Sequence, residues 1–195
     1  VARADLVVGA DGAWSKVRPL LTDVRPQHAG ITLYELSLPD VDNAHPALAA
    51  LVGRGTLIAK GSGGTVFAQR NAHAHVRVYA SLPQQLGDGE AAPLHTRASL
   101  LQHFQGWHPD LRRLIADAQD TVRPWPIHTL PVEHRWAHCD AVTLIGDAAH
   151  LMPPAGEGAN LALRDAADLA DALCAADWPA AVNAHEQVMF ARAAV

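Results

Sequence analysis

The residues best able to do chemistry lie in one run, GDAAHLMPPAGEGAN, from Gly146 to Asn160. It follows Ala141 to Ile145, an apolar stretch that reads as a strand, so Asp147 is placed at a strand's carboxyl end. In open α/β folds that edge is where ligands bind. Asp147 can accept hydrogen bonds from sugar-like hydroxyls there, while Ala148 and Ala149 let a ligand approach the main chain. Gly156 and Gly158 add backbone free of side chains, and the amides opening the next helix face anything anionic. The set suits a polyol joined to an electron-rich ring. Gly-Asp alone is most often an ordinary turn, and Pro153 to Gly156 alone an ordinary loop; the run taken whole carries the reading.

Other chemistry is scarce. No GxSxG, HExxH or similarly spaced catalytic set occurs, so no nucleophile-base pair is expected. His73 and His75 form an HxH pair with no carboxylate or cysteine at ligand spacing, and they read as solvated loop residues rather than a metal site. His150 reads as a packing and hydrogen-bonding residue at least as readily as one beside a bound ligand. Trp14, Trp107, Trp125, Trp136 and Trp178 are dispersed and are expected to anchor packing.

The elements that must position these residues come from periodicity. Ala4 to Val8 is a short strand without polar alternation, as in a parallel sheet covered on both faces. It runs into Gly9-Ala10-Asp11-Gly12, and helical spacing follows over Ser15 to Leu21. A second strand-turn-helix unit is formed by Ala141 to Ile145, the run above, and a helix from about Glu157 to Ala175. Its stripe of Ala159, Ala162, Leu163, Ala166, Leu169, Ala170 and Leu173 is expected to pack, with Arg164, Asp168 and Asp171 outward. Between the two units, residues 30–38, 55–60, 64–70 and 75–82 read as strands, with hairpin turns at Gly61 to Gly64 and Asn71 to Ala74. Residues 44–52, 94–106 and 109–118 have helical composition, and Pro124, Pro126 and Pro131 carry the chain extended. The fold expected is α/β, α+β overall: an α/β piece interrupted by a largely antiparallel sheet.

Composition sets the bounds. The chain has 195 residues, 49% of them hydrophobic, and a net charge of -5 without basic clusters. That argues for a globular protein and against nucleic acid as a partner. Two distant cysteines, Cys139 and Cys174, indicate no disulfide framework and fit a reducing, cytoplasmic setting. No apolar run is long enough to span a membrane, and no leader pattern opens the sequence.

The stretch GDAAHLMPPAGEGANLALRDAADLADAL resembles the second flavin fingerprint of FAD-dependent monooxygenases of the para-hydroxybenzoate hydroxylase class, and ADLVVGADGAWSKVR resembles the other. Both stand in the family's order, and within it the look is nearest to the tetracycline-inactivating monooxygenases. The resemblance implies that Asp147, after Gly146, contacts the ribityl chain of FAD. Pro154, Gly156, Gly158 and Asn160 would lie beside the isoalloxazine ring, and Asp11, Gly12, Ser15 and Arg18 would help bind FAD and the nicotinamide donor. It implies residues 1–24 and 136–195 as parts of a Rossmann-like FAD-binding domain, and 25–135 as the substrate domain. Of Gln69, Arg70, Arg77 and Tyr79, which alternate along strands on the substrate side in relatives, Arg77 with Tyr79 is the candidate pair.

The activity implied is NADPH- or NADH-dependent hydroxylation of an aromatic, enolic or polyketide-like small molecule through a flavin hydroperoxide. The cofactor supplies the hard chemistry. Two departures accompany the resemblance. The family's opening strand-GxGxxG-helix is not found, so a fragment is expected, and the turn from Pro153 to Asn160 is one residue shorter than the PPxxGxGxN form. The competing readings are a truncated segment that binds no flavin, and a halogenase or reductase on the same scaffold. Substrate and oligomeric state stay open.

Overall fold

The computed structural model describes residues 3–61, 63–87, 90–154, 156–175 and 177–194. The chain divides into two compact units, one made of Val1–Gln27 with His128–Val195 and the other of His28–Ile127. The division expected from sequence lay at 24/25 and 135/136.

The second unit is built on alternation. Strand β2 (Gln27–Leu38) buries Tyr34, Leu36 and Leu38 while the residues between them stay partly open. It pairs antiparallel with β5 (Val76–Pro83), which pairs with β4 (Gly64–Arg70), which pairs with β3 (Thr56–Gly61). The order is β3-β4-β5-β2-β6, with β6 (Arg123–Thr129) at one edge. Pro124 and Pro126, expected only to extend the chain, stand in this strand; an edge tolerates them because one side needs no ladder donors. Four helices supply the apolar cover: α1 (Val41–Ala44), α2 (Pro46–Val52), α3 (Arg97–His103) and α4 (Pro109–Ala116). Val41, Leu48, Leu100, Phe104, Leu114 and Ile115 pack with the inward strand residues into one core. The Thr96 hydroxyl caps α3 by accepting from the Ser99 amide.

The turn after β4 closes with the Asn71 amide donating to the His75 carbonyl at 2.8 Å, and His73 and Ala74 adopt φ of 56° and 53°. His75 is not a solvated loop residue, since its Nε2 lies 2.6 Å from Ser37 Oγ. The other hairpin includes Ser62, which lies outside the described residues. Its flank is tight: a side chain on Gly64 would put Cβ 2.5 Å from the Ser81 carbonyl. On the face away from the core, the register sets Glu35 opposite Tyr79 and Ser37 opposite Arg77.

The first unit holds a two-stranded parallel sheet, β1 (Val7–Gly9) with β7 (Val142–Leu144), and two long helices, α5 (Gly158–Leu173) and α6 (Trp178–Ala193). Its core is Trp136, Leu144, Ala148, Ala149, Met189 and Phe190, with the Trp136 and Phe190 rings edge to face at 4.6 Å. Three expectations need correction here. The β1 strand is not covered on both faces, as Val7 and Val8 are 43% and 37% exposed. The helix expected over Ser15 to Leu21 is one 3-10 turn, Arg18–Leu20, because Pro19 has no N–H to donate back and the Ser15 hydroxyl accepts from the Arg18 amide at 2.9 Å.

The third correction concerns α5. Its inward positions are Leu161, Ala162, Asp165, Asp168, Leu169 and Ala172, about one residue out of phase with the expected stripe, and Leu163 is 70% exposed. A buried carboxylate sits where an apolar residue was expected. Trp14 and Trp125 are also exposed rather than packing anchors. Among the described residues no helix is long and apolar enough to cross a membrane, and no group of His, Cys, Asp and Glu could hold a metal ion.

Candidate functional site

At the end of β7 the chain enters a 3-10 turn, Gly146–Ala148, with Gly146 at φ 60°. The left-handed backbone favours glycine, and a Cβ there would stand 3.0 Å from Ala162 Cβ on α5. Gly146→Ala is therefore expected to destabilise the first unit by about 1–3 kcal/mol through strain and overpacking. A urea-unfolding midpoint within error of the parent's would reject this account of the turn.

Asp147 is exposed, and among the described residues no side chain bonds its carboxylate. It faces a cleft of about 780 Å³ floored by Gly146 and Gly12 and walled by Pro154, Gly156, Gly158 and the exposed apolar side of α5 at Ala159, Leu163 and Ala166. Gly12 and Gly156 take φ of 80° and 93°. The residues missing from the packed face of α5 thus reappear as a cleft wall. A flat apolar body can lie on that wall, while hydroxyl groups reach Asp147. The α5 amino end adds partial positive charge at the mouth.

Not every residue named from sequence reaches this cleft. Asn160 is exposed and Asp11 caps the first turn; neither lines it. The Asp11 carboxylate accepts from the Lys16 amide at 2.7 Å, and hydrogen bonding, from Ser15 first, holds its pKa below the ordinary value. Arg18 is 3% exposed and donates to the carbonyls of Ala148 at 2.8 Å, Ala13 at 2.9 Å and Asp147 at 3.1 Å. Burial lowers its pKa, against the favourable charge of Asp11. Its guanidinium clamps the two turns together and points at main chain rather than the cleft. Ala155 lies outside the described residues. Arg77 and Tyr79 do share one face of the second unit's sheet, where Tyr79 and then Glu35 favour the charged Arg77.

The structure also brings in residues that sequence reasoning left out. Asp165 is fully buried beneath the turn: its Oδ2 accepts from the Gly146 amide at 2.9 Å and from His150 Nε2 at 2.5 Å, and its Oδ1 from Arg192 at 2.6 Å. A carboxylate only accepts, so His150 carries a proton on Nε2. Burial pushes the Asp165 pKa up, but the bonds from His150, Gly146 and Arg192 outweigh it and leave the pKa below its ordinary value. Glu186 on α6 is a second buried carboxylate, accepting from Trp136 Nε1 at 3.2 Å, Thr143 Oγ1 at 2.7 Å and His138 Nδ1 at 2.7 Å. The one available signal was that Asp165 stands four residues before Leu169 on a common helix face.

The chain is 31% identical to "Monooxygenase penA" of Penicillium thymicola, covering 87% of this chain and 49% of that protein. It is 29% identical to "3-amino-4-hydroxybenzoate 2-monooxygenase" of Streptomyces cremeus, covering 89% and 42%. The crystal structure of Klebsiella pneumoniae HpxO complexed with FAD and uric acid superposes with a TM-score of 0.79 at 26% identity, covering 99% of this chain and 49% of that one. The chain thus spans about half the length of the curated relatives it matches. Residues 2–183 match the family described as "FAD binding domain", and the chain belongs to that family.

Proposed function

We propose that the cleft at Gly146 and Asp147 receives the ribityl and ring portion of FAD, and that the full-length protein is an NAD(P)H-dependent monooxygenase acting on an aromatic or enolic small molecule. The observation that carries this reading is an open carboxylate, Asp147, beside a glycine-floored, apolar-walled cleft. Those residues fit a polyol chain with a flat ring, the chemistry of that half of a flavin. Held there, FAD would supply the redox chemistry, hydride acceptance from a nicotinamide and activation of dioxygen.

The chain's own residues then have distinct tasks. Asp147 accepts from ribityl hydroxyls, and Gly146, Gly156 and Gly158 let the ring approach the main chain. Pro154 shapes the rim, and Asp165 and Arg18 hold the turn beneath. Asp11 and Gly12 order the facing turn, and Asn160 opens α5 beside it. In the second unit Arg77 and Tyr79 contact the substrate from the open sheet face. The relatives named above include an enzyme of an aminohydroxybenzoate and a structure containing uric acid, which supports a small planar ring as substrate.

The test is steady-state assay of the full-length protein with FAD. NADPH- or NADH-dependent oxygen uptake with a singly hydroxylated product is the expected result. A halide requirement would make it a halogenase, product without oxygen incorporation a reductase, and failure to bind FAD a flavin-incompetent segment; each outcome overturns the proposal.

A further inference from the structure

We propose that the substrate is an aromatic monocarboxylate, and that Arg123 together with Arg77 receives its carboxylate in a polar pocket on the open sheet face of the second unit. This rests on the function proposed above, in which Arg77 and Tyr79 contact the substrate; Arg123 and Glu35 join them. The pocket measures about 310 Å³ and is lined by Glu35, Ser37, Arg77, Gln119, Thr121 and Arg123, all of one unit. That volume lies at the lower end of the range for small-molecule sites. The Gln119 amide donates to the Ser37 carbonyl at 2.9 Å, which holds the segment leading into β6 beside the end of β2.

The charges identify the occupant. Two guanidiniums share the pocket with one carboxylate, so positive charge is in excess. Glu35 Oε1 lies 3.6 Å from Arg77 Nε, near enough to orient the Arg77 fork and too far to occupy it with a hydrogen bond. Arg123 is exposed and makes no ion pair or side-chain hydrogen bond among the described residues. Ser37 and His75 are already bonded to each other at 2.6 Å, which leaves the arginines as the strong donors. Their planar forks match a carboxylate. Glu35 sets the limit, because it repels a second negative charge and so favours a monoanion over a phosphate monoester, which carries nearly two. Position supplies the ring. Arg77 and Tyr79 stand two residues apart on one face of β5, about 7 Å along the strand, and Phe67 is the cross-strand neighbour of Tyr79. A ring laid over the half-buried Phe67 and Tyr79 therefore sets a carboxylate substituent at Arg77.

The test titrates the full-length protein with FAD, by calorimetry at neutral pH, with benzoate, benzamide and phenyl phosphate. Benzoate is expected to bind one to one, about tenfold tighter than benzamide and tighter than phenyl phosphate. Arg123→Gln should weaken benzoate about tenfold and leave benzamide unchanged. Arg123→Lys, which keeps the charge but not the fork, should lose less, and it carries the test if the glutamine variant fails to fold. Glu35→Gln should abolish the preference for benzoate over phenyl phosphate. Arg54→Gln, at an exposed charge of the same unit outside the pocket, should change nothing. Benzoate bound no more tightly than benzamide, phenyl phosphate preferred by the parent protein, or benzoate binding untouched by both Arg123 variants overturns the proposal. Oxygen uptake with a neutral phenol in a protein indifferent to the carboxylate removes the carboxylate site alone. Arg123-dependent selection of benzoate without oxygen uptake on any aromatic acid upholds the anion site and removes the monooxygenase.

Discussion

Asp165→Ala is expected to destabilise the first unit by about 3–5 kcal/mol, the cost of removing one partner from a buried ion pair. That is a large share of the 5–15 kcal/mol typical of a folded domain. The substitution leaves the Arg192 guanidinium, His150 Nε2 and the Gly146 amide without their shared acceptor. Among the described residues Arg192 keeps only Asp168, at 2.9 Å. Asp165→Asn retains an acceptor for Gly146 but not the charge, so it should fall between. Urea unfolding of the full-length protein measures both, and a loss below about 1 kcal/mol for the alanine variant would remove Asp165 from its role as the anchor of the turn.

The same network predicts a pH dependence. The folded-state pKa of Asp165 lies below its ordinary 3.8, and hydrogen bonding from Arg192 first also lowers that of Asp168. A depressed carboxylate contributes stability that is present above the unfolded pKa and lost as pH falls through the folded one. The parent protein should therefore lose stability below about pH 4, where unfolded carboxylates take up protons. Asp165→Ala should show a shallower acid limb. A limb as steep as the parent's would assign the acid transition to other carboxylates.

Asp147→Ala is the counterpart in the opposite sense: a large effect on cofactor and a small one on fold. Its carboxylate is exposed and bonds no side chain among the described residues, so its removal should change stability by no more than about 0.5 kcal/mol. Hydrogen bonds to a charged acceptor contribute about 1.5–3 kcal/mol, so FAD affinity should fall about tenfold to a hundredfold. Fluorescence titration of the apoprotein with FAD reads the first quantity and thermal unfolding without FAD the second. Unchanged affinity would remove Asp147 from the proposed cofactor site. Affinity lost together with stability would make it a structural residue.

The second unit was readable from sequence because alternation along a strand has one interpretation once a core exists. Tyr34, Leu36 and Leu38 point inward with the intervening residues outward, and β2 to β5 begin and end within a few residues of the expected limits. The first unit was harder because its polar residues are inside. Asp165 and Glu186 look like solvent-facing acids by residue type, and their burial depends on His150, Arg192, His138 and Thr143, which come from distant parts of the chain. That is why the α5 stripe was assigned about one residue out of phase. At the site, Gly146, Asp147, Gly156 and Gly158 line one cleft. The role of Arg18 was not legible, since no local pattern shows that a guanidinium will turn inward to carbonyls 130 positions along the chain.

That last separation has a kinetic consequence. The inserted unit is continuous from His28 to Ile127, so it emerges from the ribosome before the other half of the interrupted unit does. The β1 strand, by contrast, must wait for β7, to which Val7 pairs at Val142, and Arg18 must wait for Ala148. Closing so long a loop is slow, and domains tend to fold as units during synthesis. The insertion should therefore mature first and hold the waiting segment at one end. Until α6 emerges to give Asp165 its arginine, the cofactor-bearing half is the species that chaperones and proteases meet.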